Sequence, residues 1–343
     1  MIVQLLNLNN LRQQDEMKQT FLNLFMPLVL LLVVTVTTGQ DLHYADIQSM
    51  NLWYNQSLKM DKYRDLRLNF RDIKYQSLIA FRTASGMLNV PLIGNDELGE
   101  SRKGFLSATA AGAFDKSNRG IFKNNTGMLG LSYAQKLTDN DMYISVGFQG
   151  TMTRTMLNTS TALFPDQFDR YGPIPSGTRD RFGMGRSYNW ASLNAGLSVY
   201  QHSESADWYL GASMRHINRP FTDENKNSQY RLAPTFGMQA GLTVKNEMDQ
   251  VGMYAIANWK AQAYEYLVGA KLTKQLDEGD GESEGTALGV GLALRLRDAI
   301  IPNLQLRFNK TTLGFHYDVN ISGLKAAGYT RNGFELALFQ RLN

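Results

Sequence analysis

Cysteine is absent from all 343 residues of the chain. The protein therefore forms no disulfide, uses no thiolate as a nucleophile or metal ligand, and can cross an oxidising compartment without mispaired thiols. Only 4 histidines are present, and none lies at metal-ligand spacing from another. No G-x-S-x-G elbow, phosphate-binding loop or dinucleotide-binding fingerprint occurs. We therefore expect no catalytic residues, no metal and no cofactor.

A strong charge of one sign is also missing. The formal net charge is +4, and no block of lysine and arginine of the kind that tracks phosphates is present. We therefore expect no nucleic-acid partner. The acidic stretch LDEGDGESEG (276–285) lacks the regular ligand spacing of a calcium loop, which indicates a solvated turn.

Long apolar runs are scarce, and the one at Phe25–Val36 is shorter than a membrane-spanning helix requires. It follows Met17 and a single basic residue, Lys18, and small residues come after it. This layout is typical of a signal peptide covering residues 1–39, with Met17 as the true start and cleavage between Gly39 and Gln40. An uncleaved membrane anchor is the alternative interpretation.

The remaining chain is dominated by residues that alternate between apolar and polar. MYISVGFQ (142–149), LGVGLALRLR (288–297) and NLQLRFN (303–309) all have this period of two, which indicates strands with one apolar and one polar face. Helical periodicity is nowhere sustained. The predicted strands cover residues 66–75, 76–84, 104–114, 126–137, 141–154, 189–202, 206–217, 234–245, 250–259, 262–272, 285–297, 303–309, 312–320 and 332–341, and the first two of these are also compatible with one continuous strand.

These strands predict an all-β fold, a transmembrane antiparallel outer-membrane β-barrel of about 14 strands. Short links at 138–141, 203–206 and 246–249 contrast with long ones at 85–103, 155–188 and 218–233, an asymmetry that places the short turns in the periplasm. A soluble sandwich of this many strands is unusual, and a soluble barrel would need an apolar interior. Aromatic residues near strand ends are typical of interfacial girdles: Tyr133, Trp190, Tyr200, Trp208 and Trp259.

The predicted organisation after the signal peptide is simple. Residues 40–65 form a periplasmic N-terminal segment, and residues 66–343 form the barrel. No linker or shift in composition separates a further domain within the barrel region.

Charged residues on the polar faces are the candidates for the lumen: Arg215, Arg295, Arg297, Arg307 and Glu335. These arginines could line a pore or hold an anionic segment of a passing or plugging chain. Alternatively, they form an internal salt-bridge lattice with Glu335 that fills a narrow lumen, and we favour this second interpretation.

The stretch DWYLGASMRHINRPF (207–221) raises the question of a catalytic histidine. Its alternation places Trp208 and Met214 on the outer face and Arg215 inside. His216 would then continue the outer row to the barrel rim as a structural residue. An enzyme would instead require His216 or His316 to lie beside a serine or an aspartate.

Several stretches resemble the PorP/SprF family of type IX secretion system outer-membrane proteins. The resemblance is carried by QDLHYADIQSMNLWYNQSL (40–58), RLNFRDIKYQS (67–77), FPDQF (164–168), YLGASMRHINRP (209–220), LRDAIIPNLQLRFNKTTLGFHYDVNISGL (296–324) and NGFELALFQ (332–340). The chain departs from the family where Asn55, Gln56 and Ser57 replace an Asn-Pro-Ala stretch, and in its ending LFQRLN.

The resemblance implies a non-catalytic barrel in the outer membrane of a Bacteroidota species. Such proteins support the secretion or cell-surface anchoring of large cargo proteins, often adhesins used in gliding motility. The implied partners are outer-membrane lipid, the C-terminal domain of a type IX cargo, and periplasmic or lipoprotein components of the secretion machinery. A passive porin or small-solute transporter is the alternative function.

Overall fold

The alternating segments of the sequence form long antiparallel strands. The computed structural model describes residues 42–75, 79–93, 104–117, 120–138, 140–158, 165–169, 172–173, 186–222, 231–246, 248–277, 285–323 and 331–342. The described residues between 42 and 261 and between 265 and 342 cluster into one compact unit. None of the described residues belongs to a helix that is long and apolar enough to cross a membrane. The predicted cleavage site at Gly39 and Gln40 lies outside the described residues.

Fourteen of the described strands close into one barrel. They are β1 (Arg64–Tyr75), β2 (Ile79–Ile93), β3 (Gly104–Ser117), β4 (Phe122–Thr138), β5 (Met142–Leu157), β8 (Arg186–His202), β9 (Ala206–Arg215), β10 (Thr235–Lys245), β11 (Asp249–Lys260), β12 (Ala263–Asp277), β13 (Thr286–Arg295), β14 (Ala299–Phe308), β15 (Thr311–Asn320) and β16 (Arg331–Leu342). Two short strands, β6 (Phe168–Asp169) and β7 (Gly172–Pro173), pair with each other between β5 and β8. The prediction of an antiparallel barrel of about 14 strands is confirmed.

The barrel follows an up-and-down order, in which strands adjacent in sequence are also adjacent in space. The first and last strands close it, with Arg64 of β1 opposite Leu342 of β16 and Tyr75 opposite Arg331. Because every strand edge is thereby paired, no row of backbone donors and acceptors faces lipid.

The two ends of the barrel differ in their connections. We call the end where β1 begins and β16 finishes the terminal end, and the opposite end the far end. Short turns occur at both ends, at 139–141, 203–205 and 309–310 on the terminal end and at 118–121, 261–262 and 296–298 on the far end. The two longest connections, 158–185 and 216–234, join strands at the far end. The expected link at 85–103 is shorter than predicted, because β2 continues to Ile93.

The outer surface of the barrel is apolar. Leu129 is 71% exposed, Phe148 65% and Phe308 68%, while the neighbouring positions on the same strands are turned inward. A soluble fold would bury such residues, whereas a membrane-spanning strand presents them to lipid. The outer face is therefore the membrane surface, as the alternation in the sequence predicts.

Two of the five predicted girdle aromatics lie inside the barrel instead. Tyr200 is fully buried and stacks on Tyr143, with ring centroids 5.3 Å apart. Trp190 contacts the His216 ring edge-to-face and donates a hydrogen bond to Thr155. Both positions face inward in the alternation. The Trp190 indole N–H finds a hydrogen-bond partner there, whereas the buried Tyr200 hydroxyl has none among the described residues and its ring is held by stacking.

Candidate functional site in the barrel lumen

The interior of the barrel is occupied by the chain's own N-terminal segment, residues 42–63, which we call the plug. Tyr44, Met50 and Leu52 within it are 0% exposed. The expectation placed residues 40–65 in the periplasm, but the described part of that segment lies within the lumen, and β1 begins at Arg64. Residues that line different sides of the barrel hydrogen-bond to the plug, which fixes its position.

The plug folds as compact turns rather than as a helix or strand. Two single 3-10 turns, Asn51–Trp53 and Gln56–Leu58, make up its centre. The Asn55 side chain caps the second turn by accepting a hydrogen bond from the Ser57 backbone N–H. The Tyr54 hydroxyl donates to the Leu42 carbonyl. Such local side-chain bonds satisfy backbone groups that have no sheet partner in the lumen.

The second turn of the plug lies against inward-facing glycines on four neighbouring strands: Gly130, Gly147, Gly196 and Gly211. A Cβ atom at Gly147 would collide with the Ser57 backbone nitrogen and lie 2.6 Å from the Gln56 carbonyl carbon. A Cβ at Gly196 would collide with the Asn55 side chain. The wall therefore lacks side chains at the level where the plug backbone passes, and the two surfaces are complementary.

Polar side chains of the wall bond to this same turn from several sides. Asn55 donates to the Gln239 carbonyl oxygen at 3.0 Å and to the Ala212 backbone oxygen at 3.2 Å. Gln56 donates to Thr109 at 2.7 Å. The Ser198 hydroxyl donates to the plug backbone at 2.9 Å. These contacts involve strands β3, β8, β9 and β10, so the turn is held along an arc of six neighbouring strands.

A carboxylate anchors the start of the plug. Glu335 is 1% exposed and accepts hydrogen bonds from the Ala45 N–H at 2.6 Å and the Asp46 N–H at 2.8 Å. Asn69 donates to the same carboxylate at 2.7 Å. The Arg71 guanidinium lies 3.5 Å away and neutralises it. Charge-assisted bonds of this kind are among the stronger ones in proteins.

Two arginines extend this network to the plug backbone. Arg71 donates to the His43 carbonyl oxygen at 2.5 Å and pairs with Asp318 at 2.6 Å. Arg295 donates to the Tyr44 carbonyl oxygen at 3.3 Å and pairs with Glu265 at 3.4 Å. Each guanidinium thus links the plug to carboxylates of the wall, which offsets the cost of burying its charge.

A second charged cluster holds the plug where it leads into β1. Lys59 is 0% exposed and contacts Asp65 at 2.5 Å and Asp61 at 2.6 Å. Arg67 pairs with the other oxygen of Asp65 at 2.7 Å and donates to the Ser49 carbonyl oxygen at 2.8 Å. Removal of either partner would leave an uncompensated charge in the interior.

The structure places the candidate lumen residues as follows. Arg295 and Glu335 lie inside and contact the plug directly, and the Arg215 guanidinium lies 5.3 Å from the centre of the Tyr54 ring. Arg307 lies inside near the terminal end and donates to Gln275 at 2.5 Å. Arg297 differs, since β13 ends at Arg295 and Arg297 is exposed in the following turn with φ of 60°.

His216 also departs from its expected place on the outer face. The alternation of β9 stops at Arg215, and His216 adopts a left-handed backbone with φ of 57° that turns its ring inward. Its Nδ1 lies 2.7 Å from the Ser192 hydroxyl, and its N–H donates to Asn194 at 2.9 Å. Ser192 is only 1% exposed, so this serine is enclosed in the wall rather than open to a substrate.

His316 lies in the same network as the start of the plug. Its Nε2 is 3.5 Å from the Asp46 carboxylate, which also accepts a 2.5 Å hydrogen bond from Ser49. Both histidines thus have the neighbour that an enzyme would need, and in each case the pair is buried. Among the described residues, no group of three or more potential metal ligands is found.

The plug itself was missed by reasoning from the sequence. Its residues do not alternate, so they read only as a segment before the first strand. The available signal was the wall, because glycine and serine recur on the inward faces of β4, β5 and β8 and leave volume that their own side chains do not fill. An interior this wide must hold either water or another part of the chain.

Comparison with solved structures finds bacterial outer-membrane proteins of low sequence identity. The toluene transporter TodX of Pseudomonas putida has a TM-score of 0.49 at 7% identity, with 88% of this chain and 94% of that chain covered. The Ralstonia pickettii toluene transporter TbuX has a TM-score of 0.49 at 10% identity, covering 89% and 96%. The translocator domain of autotransporter NalP from Neisseria meningitidis has a TM-score of 0.40 at 10% identity, covering 87% and 96%.

No curated protein matches the sequence. The sequence profile described as type IX secretion system membrane protein PorP/SprF matches residues 99–339, well over half of the chain. The stretches at 40–58 and 67–77 lie outside this match, whereas those at 164–168, 209–220 and 296–324 lie within it. A family of secretion-system membrane proteins agrees with a closed barrel whose outer face is apolar. The chain therefore belongs to the PorP/SprF family of type IX secretion system membrane proteins.

Proposed function

We propose that this protein is a plugged, non-catalytic outer-membrane barrel that supports export or cell-surface anchoring of a large type IX cargo, such as a gliding adhesin. One observation carries the proposal beyond the family: residues 42–63 occupy the lumen and bond to the wall on several sides. A barrel filled by its own chain is suited to hold a partner rather than to pass solutes.

A passive porin is the competing function. Porins conduct because an aqueous channel runs through the barrel. Here the glycine-lined level of the wall lies in contact with plug backbone at Gln56 and Ser57. Opening a channel would require breaking the charged contacts at Glu335 and Asp65 together, so the filled lumen favours an anchor over a porin.

Removal of a signal peptide fits this arrangement. Cleavage between Gly39 and Gln40 would leave two residues before the plug begins at Leu42. The new N-terminus would then enter the lumen during barrel assembly, without a long preceding segment to accommodate.

The two barrel ends suggest a division of partners. Long connections are typical of the extracellular side, and the terminal end carries neither of the two longest ones, so it would face periplasmic or lipoprotein components of the secretion machinery. The far end carries the longest connections and would face the cargo at the cell surface. A rigid plugged barrel between them would transmit load from cargo to the membrane.

The test is purification of the tagged protein from native membranes in a gentle detergent, with identification of co-purifying proteins by mass spectrometry. We expect a large surface protein together with at least one secretion component. The matched control is an unrelated outer-membrane barrel carrying the same tag. Recovery of neither class of partner, or equal recovery with the control barrel, would contradict the proposal.

A further inference from the structure

Two cations in the lumen stand apart from the charged networks that hold the plug. Five interior cations form ion pairs with carboxylates: Lys59, Arg67, Arg71, Arg295 and Arg331. Lys271 of β12 and Arg307 of β14 instead contact neutral amides. Lys271 donates to Gln305 at 2.8 Å, and Arg307 donates to Gln275 at 2.5 Å. Within the described residues, neither forms a salt bridge with a carboxylate.

The strand register brings these two cations to the same part of the wall. On the intervening strand β13, Gly289 lies opposite Thr273 of β12 and Gln305 of β14. Ala287 lies in the same way opposite Gln275 and Arg307. The inward face of β13 therefore carries small residues here, and polar side chains of β12 and β14 lie on either side of it.

Side chains from β12 and β14 extend over the small residues of β13. A Cβ atom at Gly289 would lie 3.3 Å from the Gln305 Cβ, 3.4 Å from the Thr273 hydroxyl and 3.6 Å from Lys271 Cδ. Lys271 reaches Gln305 of β14, and Arg307 of β14 reaches Gln275 of β12, so both side chains cross the inward face of β13. The Asp46 carboxylate of the plug contacts Ser49 and His316 and forms no ion pair with Lys271 among the described residues.

Hydrogen-bonding capacity at this place remains unused. The Arg307 Nε is buried without a hydrogen-bond partner among the described residues. An ammonium carries three donors, and Lys271 uses one of them on Gln305. Half-buried cations that lack a counter-charge are costly in a low-dielectric interior, and an oxyanion would satisfy both the charge and the donors.

We propose that Lys271 and Arg307, with Thr273 between them, form an oxyanion-binding site that takes a phosphate or carboxylate group. Among the described residues, neither cation forms a hydrogen bond or an ion pair with the plug. Arg307 is the next-to-last residue of β14 and Gln275 lies near the end of β12, so the ligand enters from the terminal end. Arginine and lysine also line anion-selective pores, because they combine a positive charge with several hydrogen-bond donors.

The test measures how anions protect Lys271 from an amine-reactive reagent. The full exported chain in detergent is titrated with inorganic phosphate and, separately, with succinate, while chloride keeps the ionic strength constant. Mass spectrometry reports the labelling rate of each lysine. Lys274, three residues along the same strand but exposed on the outer face, is the internal control.

We expect labelling of Lys271 to slow roughly threefold at an anion concentration twice the dissociation constant, because a third of the sites is then free. The rate at Lys274 should not change, and Arg307→Gln should abolish the protection while leaving Lys274 labelling as in the unmodified protein. The anion that protects at the lower concentration identifies the preferred ligand chemistry.

Three results would overturn the proposal. The first is an equal decrease in the labelling rates of Lys271 and Lys274 when anion is added. The second is protection of Lys271 that is undiminished in Arg307→Gln. The third is a Lys271 that does not react even without added anion, because the site would then be closed to solutes. If Arg307→Gln fails to fold, the reciprocal variant Lys271→Gln, with phenylglyoxal modification of Arg307 as the readout, makes the same comparison.

Discussion

Replacing Gly147 with alanine should loosen the plug, because the added methyl group points directly at the plug backbone. The new Cβ would lie 2.6 Å from the Gln56 carbonyl carbon, whereas ordinary contacts begin at 3.4 Å. The plug must therefore retreat by at least about 0.8 Å, since the Ser57 backbone nitrogen is nearer still, and it must do so at a place where it is hydrogen-bonded to several strands. Overpacking of this kind costs about 1–3 kcal/mol, which corresponds to an opening equilibrium raised about 5- to 150-fold.

Opening can be followed with a single introduced thiol, since the chain has no cysteine of its own. Ser57 is 0% exposed in the plug, so a Ser57→Cys variant should react with a maleimide only when the plug leaves the wall. The matched control is Gly150→Ala on the same strand, where a Cβ meets nothing within 4 Å. We expect fast labelling with Gly147→Ala and slow labelling with Gly150→Ala.

Equal labelling rates in the two alanine variants would mean that the plug does not press on β5 at Gly147. Rapid labelling of Ser57→Cys without any second substitution would be equally damaging, since the plug would then be open in the unmodified barrel.

Other substitutions test the charged network and the membrane face. Glu335→Gln should lower the free energy of unfolding by about 3–5 kcal/mol because it removes one of the carboxylates that neutralise Arg71. Glu204→Gln, in an exposed turn, is the control and should have no such effect. The temperature at which the compact form is lost in gel electrophoresis compares the two variants, and equal temperatures would argue against the network. Arg295→Gln should lower the free energy of unfolding by a similar amount. Arg297→Gly removes the cost of a left-handed backbone, about 1–2 kcal/mol, and should leave the free energy of unfolding in urea unchanged or raise it. A large decrease for Arg297→Gly would show that the Arg297 side chain lies in the lumen. Phe148→Arg should cost about 2–4 kcal/mol on folding into lipid vesicles, and an unchanged folding free energy would show that Phe148 does not face lipid.

The barrel itself was predictable from the sequence because membrane strands must alternate. Successive strand residues face lipid and the polar lumen in turn, so apolar and polar residues alternate along nearly every strand, as in residues 142–149 and 288–297. The strand ends were less certain, since alternation says nothing about where a strand yields to a turn. Arg297 and His216 were misplaced for this reason. His216 directly follows the end of β9, Arg297 is the second residue after the end of β13, and each has a positive φ that belongs to a turn.

The lumen was predictable only in part. Inward charges such as Arg295 and Glu335 follow from strand parity, but their partners come from a segment more than 200 positions away. The plug has no periodicity of its own, and it is defined by its fit to the wall rather than by local propensity. Only its counterpart, the row of inward glycines including Gly147 and Gly196, was visible in the sequence.

The most direct test of the plugged barrel is its conductance in planar lipid bilayers. The intact protein should show no steady single-channel current, because residues 42–63 fill the lumen. A variant lacking residues 42–60 that still shows the heat-modifiable migration of a folded barrel should conduct. A stable open channel in the intact protein would contradict the account.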